Sequence, residues 1–157
     1  METLVVYDSK FGNTRALSET IAEVLVPYGA VRVYGLDELL PDDLGSTDLL
    51  IVGGPTQGHG MSARTRQFAD GLVTSGGGTI AAVFDTRYRM PAFISGSAAR
   101  AIARRLRRSG IPVLTPSQSF FVSRDSVPHL EEGEVERAAS WAKNIAMRWW
   151  LTRWCAA

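Results

Sequence analysis

Cysteine is nearly missing from this chain: Cys155 alone among 157 residues. A lone thiol closes no intramolecular disulfide and builds no multi-cysteine metal site. With two histidines, His59 and His129, nothing in the sequence marks a metal cluster, a catalytic triad or an activated nucleophile. Long apolar runs are missing too, since none reaches the ~18–20 residues that span a bilayer. No signal peptide is read ahead of the first strand pattern near residue 3, so the expected location is the cytoplasm. No repeat, low-complexity tract or linker interrupts the chain, and residues 1–157 are expected to form one domain. Acids are absent from residues 86–124, which hold eight arginines. Net charge is only +1 overall, so the rest of the chain is acidic on balance. Such asymmetry either steers a charged partner or is simply a solvated arginine-rich helix face.

What is present is a regular alternation of patterns. TLVVY (3–7) is a continuous apolar run, as expected for a strand buried on both faces. Leu17, Ile21, Val24 and Leu25 follow at helical spacing. AVRVY (30–34) reads as a second, less apolar strand, and residues 36–46 as a connection with about one helical turn. DLLIVGG (48–54) is the third strand and TIAAVF (79–84) the fourth, with a helix from Ser62 to Ser75 between them, closed by SGGG (75–78). A helix over Ser97–Arg108 precedes a short fifth strand within 113–122. The last helix is expected from Glu131, with Val135, Ala138, Ala142, Ile145 and Trp149 as its covering stripe. Strands alternating with helices predict an α/β fold: a three-layer, doubly wound, five-stranded parallel sheet, for which 2-1-3-4-5 is one of the two common strand orders and the one expected here.

In such a sheet ligands bind beyond the carboxyl ends of the strands, where the strand order reverses. Three segments of unusual composition meet there: DSKFGNT (8–14), GGPTQGHGM (53–61) and DTRYRMP (85–91). The first opens a helix, whose free N–H groups and dipole attract an anion. Ser9, Asn13 and Thr14 add donors, Lys10 adds charge, and Gly12 permits close approach of the backbone. A phosphate monoester suits this cradle. The competing explanation is ordinary helix capping by Asn13 or Thr14. Neither GxxxxGK[ST] nor GxGxxG occurs, so a mononucleotide is a better match than a nucleoside triphosphate or a dinucleotide.

VVYDSKFGNTRALSETIAEVL (5–25) resembles the phosphate-loop signature of flavodoxins and related FMN domains: a tyrosine, a hydroxyl residue, then G-N-T opening a helix. GGPT followed by Phe68 is similar to their second flavin loop, and the likeness covers nearly the whole chain in its short form. The resemblance implies a flavodoxin-like fold and FMN as cofactor. Ser9, Lys10, Phe11, Gly12, Asn13 and Thr14 would hold the 5′-phosphate. Pro55, Thr56, Gln57, Gly58, His59 and Gly60 would line the flavin ring, and Asp85, Thr86, Arg87 and Tyr88 would close its other side. Tyr88 is the first candidate to stack on the ring, with His59 on the other face and Phe93 in reserve. Glycine at 58 or 60 would let a peptide carbonyl turn toward the reduced ring, unless the segment is only a tight turn.

Three departures from the family pattern stand out. Phe11 replaces a common threonine, the usual second-loop aromatic is missing unless His59 serves, and Arg87 and Arg89 stand where electron carriers are commonly acidic. Cations beside the ring favour its anionic reduced form, which predicts a less negative reduction potential. The last helix carries a second apolar stripe, Met147, Trp150, Leu151 and Trp154, with Arg148 and Arg153 interleaved. It suits a homodimer contact, a membrane-surface contact or the edge of the core. The expected function is FMN-dependent electron transfer to a redox partner protein. The alternatives are an FMN-dependent reductase or oxidase of a quinone or other small acceptor, and a flavin-free interaction module. Nucleic-acid binding is not expected, because the basic stretch has no interleaved aromatics.

Overall fold

The computed structural model describes residues 1–72 and 78–155. β1 (Thr3–Tyr7) has Leu4, Val5 and Val6 fully buried because helices cover both of its faces. Alternation sorts its side chains: Val5 joins one core, and Leu4 and Val6 join the other. The same period runs through β3 (Leu49–Gln57) and β5 (Ile80–Tyr88). Leu49, Ile51, Ala82 and Phe84 pack under α1 (Asn13–Leu25) and α5 (Glu134–Cys155), while Leu50, Val52, Ala81 and Val83 meet the opposite helix layer. That layer consists of α2 (Ala63–Gly71) and α4 (Ala98–Arg108).

The parallel strands take the order β2-β1-β3-β5-β6, with β2 at Val31–Gly35 and β6 at Gln118–Val122. This is the expected flavodoxin-like arrangement, with one addition: β4 (Gly60–Met61) turns back antiparallel onto β3. β2 is the less apolar strand because it pairs only with β1 and is half-buried. Within 113–122 the fifth parallel strand is interrupted: Val113 bridges Ala81, and regular pairing resumes at Gln118. A short α3 (Ala92–Ser95) precedes α4.

Several boundaries differ from the sequence expectation. β3 and β5 run past residues 54 and 84 to Gln57 and Tyr88. Pairing sustains them there, since Pro55 aligns with Thr86 and Tyr88 with Val122. α2 is helical through Gly71, and the expected helix end at Ser75 and its SGGG stop fall largely outside the described residues. α5 begins at Glu134 rather than Glu131. Val135 is 42% exposed, and Trp141 and Ala146 fill the core instead. Phe84, Phe120 and Trp141 meet edge-to-face at 5.7–6.2 Å between ring centroids. Among the described residues no helix is long and apolar enough to cross a membrane.

Candidate functional site

The first segment leaves β1 at Tyr7, whose phenol is pushed above its usual pKa by burial, with the Arg15 cation opposing that shift. Asp8 points to neighbouring structure: its Oδ2 accepts from Ser62 Oγ at 2.5 Å, and Arg64 lies 3.6 Å from Oδ1. Gly12 takes φ +85° just before α1, a left-handed conformation in which glycine avoids the strain of a side chain. No side chain caps α1 at Gly12. The polar residues that might have capped it are engaged elsewhere. Asn13 Nδ2 donates to Pro128 O at 2.8 Å, and Thr14 Oγ1 lies 3.0 Å from Thr86 Oγ1. Ser9 Oγ accepts from Arg15 N at a long 3.4 Å. Apart from that long contact to Arg15 N, the start of α1 presents its backbone donors and the positive end of the helix dipole to the cleft.

The second segment is a hairpin. Gln57 pairs with Gly60, and Gly58 and His59 make the two-residue turn with φ +50° and +70°. Two positive φ angles are what a type I′ hairpin demands. His59 is held there by a 2.8 Å hydrogen bond between Nδ1 and Ile94 O, and by Gly96, where a Cβ would come 1.9 Å from His59 O. The predicted glycine-rich loop is thus a tight turn joined to α3 and the start of α4.

The third segment is the projecting end of β5. Asp85 is fully buried. Its Oδ2 accepts from Thr56 Oγ1 (3.1 Å), Ser97 Oγ (2.7 Å) and Ala99 N (2.9 Å). Oδ1 has no hydrogen-bond partner among the described residues, and Arg87 Nε stands 4.0 Å from it. Arg87 also donates to Ser119 Oγ, Met90 O and Ser95 Oγ. Arg89 turns away to Glu131 and Glu134, at 2.7 and 3.7 Å, over the Phe121 ring.

Together these segments enclose a cleft of about 280 Å³. The first contributes Ser9, Lys10, Phe11, Asn13 and Thr14 to its lining. From the second come Pro55, Thr56, Gln57 and Gly58, and from the third Thr86, Arg87 and Tyr88. Gly12, His59, Gly60 and Asp85 lie behind or beside the wall rather than on it. Phe11 and Tyr88 are 49% and 41% exposed, so two half-open aromatics border the cleft. Phe93, at 88% exposure, is outside it. Phe68 is also elsewhere, in the middle of α2 against the second core. Sequence reasoning missed Val122 and Pro128, which complete the lining. The signal for them was topological: β6 neighbours β5, so the residues after its carboxyl end border the same cleft.

The family model described as Flavodoxin matches residues 5–116, from within β1 through β5 and α4. The chain belongs to the flavodoxin family. Members of this family bind FMN. A flavodoxin from the domain Archaea superposes with a TM-score of 0.78 at 25% identity, over 95% of this chain and 99% of that one. Flavodoxin 2 from Bacillus cereus gives 0.76 at 20% identity, covering 94% and 99%. A WrbA-like flavodoxin protein from Agrobacterium tumefaciens gives 0.72 at 18%, covering 94% and 96%; at this identity the likeness is one of fold. No curated protein sequence matches the chain. The residues present in this flavodoxin fit the family's cofactor. A helix start that begins at a glycine with no cap of its own suits a phosphate, and the open cleft bordered by Phe11 and Tyr88 suits a flat ring with one edge in solvent.

Proposed function

We infer that this flavodoxin is an FMN-dependent electron carrier serving a partner protein. One observation carries the reading: α1 starts at a glycine with no side-chain cap of its own and opens onto a cleft bordered by two half-exposed aromatics. Bound FMN would supply the electron chemistry, and the chain holds and tunes it. The leading N–H groups of α1 hold the phosphate. Asn13 and Thr14 keep that loop in place through Pro128 and Thr86, rather than by reaching for the ligand themselves. Phe11 and Tyr88 flank the ring, so the phenylalanine that replaces a family threonine supplies an apolar wall. Asp85 locks Thr56 and the start of α4 behind the hairpin, which fixes the cleft's shape before ligand arrives.

The test is direct. Purified protein is mixed with FMN, desalted and scanned in the visible range. Flavin absorption is expected to remain with the protein, and excess inorganic phosphate is expected to slow its uptake. A protein that stays colourless overturns the reading and leaves the flavin-free module. Turnover with NAD(P)H and a quinone separates the carrier from the small-acceptor reductase. The carrier passes electrons to a protein acceptor and gives little quinone turnover.

The strip on α5 supports a contact with a second copy of the chain. Met147, Trp150, Leu151 and Trp154 are 47–80% exposed, although Trp150 meets the buried Trp149 edge-to-face at 5.3 Å. A membrane surface is the other fit for tryptophan beside arginine.

A further inference from the structure

α4 carries Arg100, Arg104, Arg105, Arg107 and Arg108 and no acid. α2, packed beside it on the same face of the sheet, adds Arg64 and Arg66 against a single Asp70. Arg105 pairs with Asp70 and Arg64 with Asp8. Arg66, Arg100, Arg104, Arg107 and Arg108 are exposed and form no ion pair among the described residues. The inner side of α4 is apolar throughout, with Ala99, Ile102, Ala103 and Leu106 buried, so the arginines form a ridge along its outer side.

Covering the sheet does not require this ridge. Arg100 sits in the first turn, where the positive end of the helix dipole disfavours a cation. Arg100, Arg104 and Arg108 follow one another at i, i+4, a spacing at which like charges repel. Only the arginines of the last turn suit the dipole.

The ridge begins beside the cleft. Ala98 N donates to Thr56 Oγ1, a group on the cleft wall, and Ala99 N donates to Asp85. From Arg100 it runs about 12 Å down the helix at the usual rise per residue. Between ridge and hairpin stands α3, whose Phe93 and Ile94 are 88% and 45% exposed, with the Ile94 carbonyl held by His59.

We propose that α3 and the arginine ridge of α4 are the docking surface for an acidic protein, which meets Phe93 and Ile94 with apolar groups and the ridge with carboxylates. Charge complementarity of this kind speeds encounter and orients the partner. Nucleic acid fits less well, because no aromatic is interleaved with the arginines. A bilayer fits less well, because the exposed apolar residues are confined to Phe93 and Ile94 on α3 and the side of α4 that carries the ridge has no large apolar residue to insert. The proposal rests on the electron-carrier reading for its purpose, but the contact is measurable without electron transfer.

The test uses FMN-loaded protein and an acidic plant-type ferredoxin as probe, with basic cytochrome c as the opposite control. Binding is followed by interferometry from about 20 mM to about 500 mM salt, a range over which charge screening rises steeply. Ferredoxin is expected to bind at low salt and release at high salt. R100E/R104E/R108E is expected to weaken it roughly tenfold or more, as loss of complementary charge does. Lys143→Glu, exposed on the opposite helix layer, should leave it unchanged. R100Q/R104Q serves if the triple variant melts early by circular dichroism. Flavin absorption reports the cofactor site separately: wild type that holds no FMN counts against the carrier reading, and the ridge is read from variants that keep their flavin. The docking proposal is overturned by failure of ferredoxin to bind, by equal binding of the variants, or by a stronger ridge-dependent capture of duplex DNA or phosphatidylserine vesicles.

Discussion

Arg87 reaches the cleft already committed. Its guanidinium donates to Ser119, Met90 and Ser95, and it faces the otherwise unpartnered Oδ1 of Asp85 at 4.0 Å. Its side chain is only 12% exposed, so solvent screens it weakly. Arg89, read from the sequence as its companion, is taken up by Glu131 and Glu134. The two arginines therefore act unequally on a bound flavin. Arg87→Gln is expected to make the FMN potential more negative, by on the order of 1 kcal/mol at the effective dielectric of such sites. Arg89→Gln is expected to leave the potential in place. A redox titration of the two variants against wild type reads both outcomes. A wild-type potential at the very low end for a flavoprotein would count against any tuning by Arg87. That Arg87 lies in the third segment, at the fourth strand's end, was legible from DTRYRMP. The ties that set its effect come from residues 90, 95 and 119 and could not be read there.

β3 shows how packing overrides local composition. PTQ (55–57) reads as loop because proline is a poor strand former and glycines flank the segment on both sides. In the folded chain Gly53 is strand, and a Cβ on it would fall 2.2 Å from the Phe84 ring. That ring has no room to retreat, being wedged against Phe120 and Trp141. The glycine therefore admits an aromatic from the neighbouring strand. Gly53→Ala is expected to destabilise the protein by about 1–3 kcal/mol, the usual range for overpacking. A denaturant titration showing an unshifted midpoint would mean that the ring relaxes freely. Beyond Gly53 the strand continues because β5 and then β4 pair with it, and only the Gly58–His59 turn remains as loop. Periodicity exposes the elements but not their ends, since pairing partners decide where a strand stops.

Charge and apolar surface divide the molecule. The α2/α4 layer holds seven arginines and one aspartate, while the whole chain nets +1. The far end of α5 bears the exposed tryptophan strip. Arg153 from that end reaches back to Asp48 and Gly78 O, near the amino ends of β3 and β5. The strip therefore lies away from the cleft, which opens at the carboxyl ends of the same strands. Pairing two copies through it would leave both clefts free. W150E/W154E is expected to sediment as a monomer under conditions where wild type sediments as a dimer. An unchanged mass on removing residues 150–157 would eliminate the dimer, and co-flotation of wild type with vesicles would point to the membrane surface instead.

By itself the sequence determined the alternation of strands and helices and the three segments that border the cleft. Those features are encoded locally, in periods of 2 and 3.6 residues and in the polar cluster before α1. Tertiary structure decided the rest. It alone showed that Asn13 and Thr14 do not cap their helix but bond to Pro128 and Thr86, residues 115 and 72 positions away. It placed Phe11 rather than His59 on the cleft wall, because the His59 ring is drawn to Ile94. It also buried Asp85 beneath the hairpin it stabilises. Partners so distant in sequence leave no local pattern, since a hydrogen bond depends on where two groups meet and not on how far apart the chain encodes them.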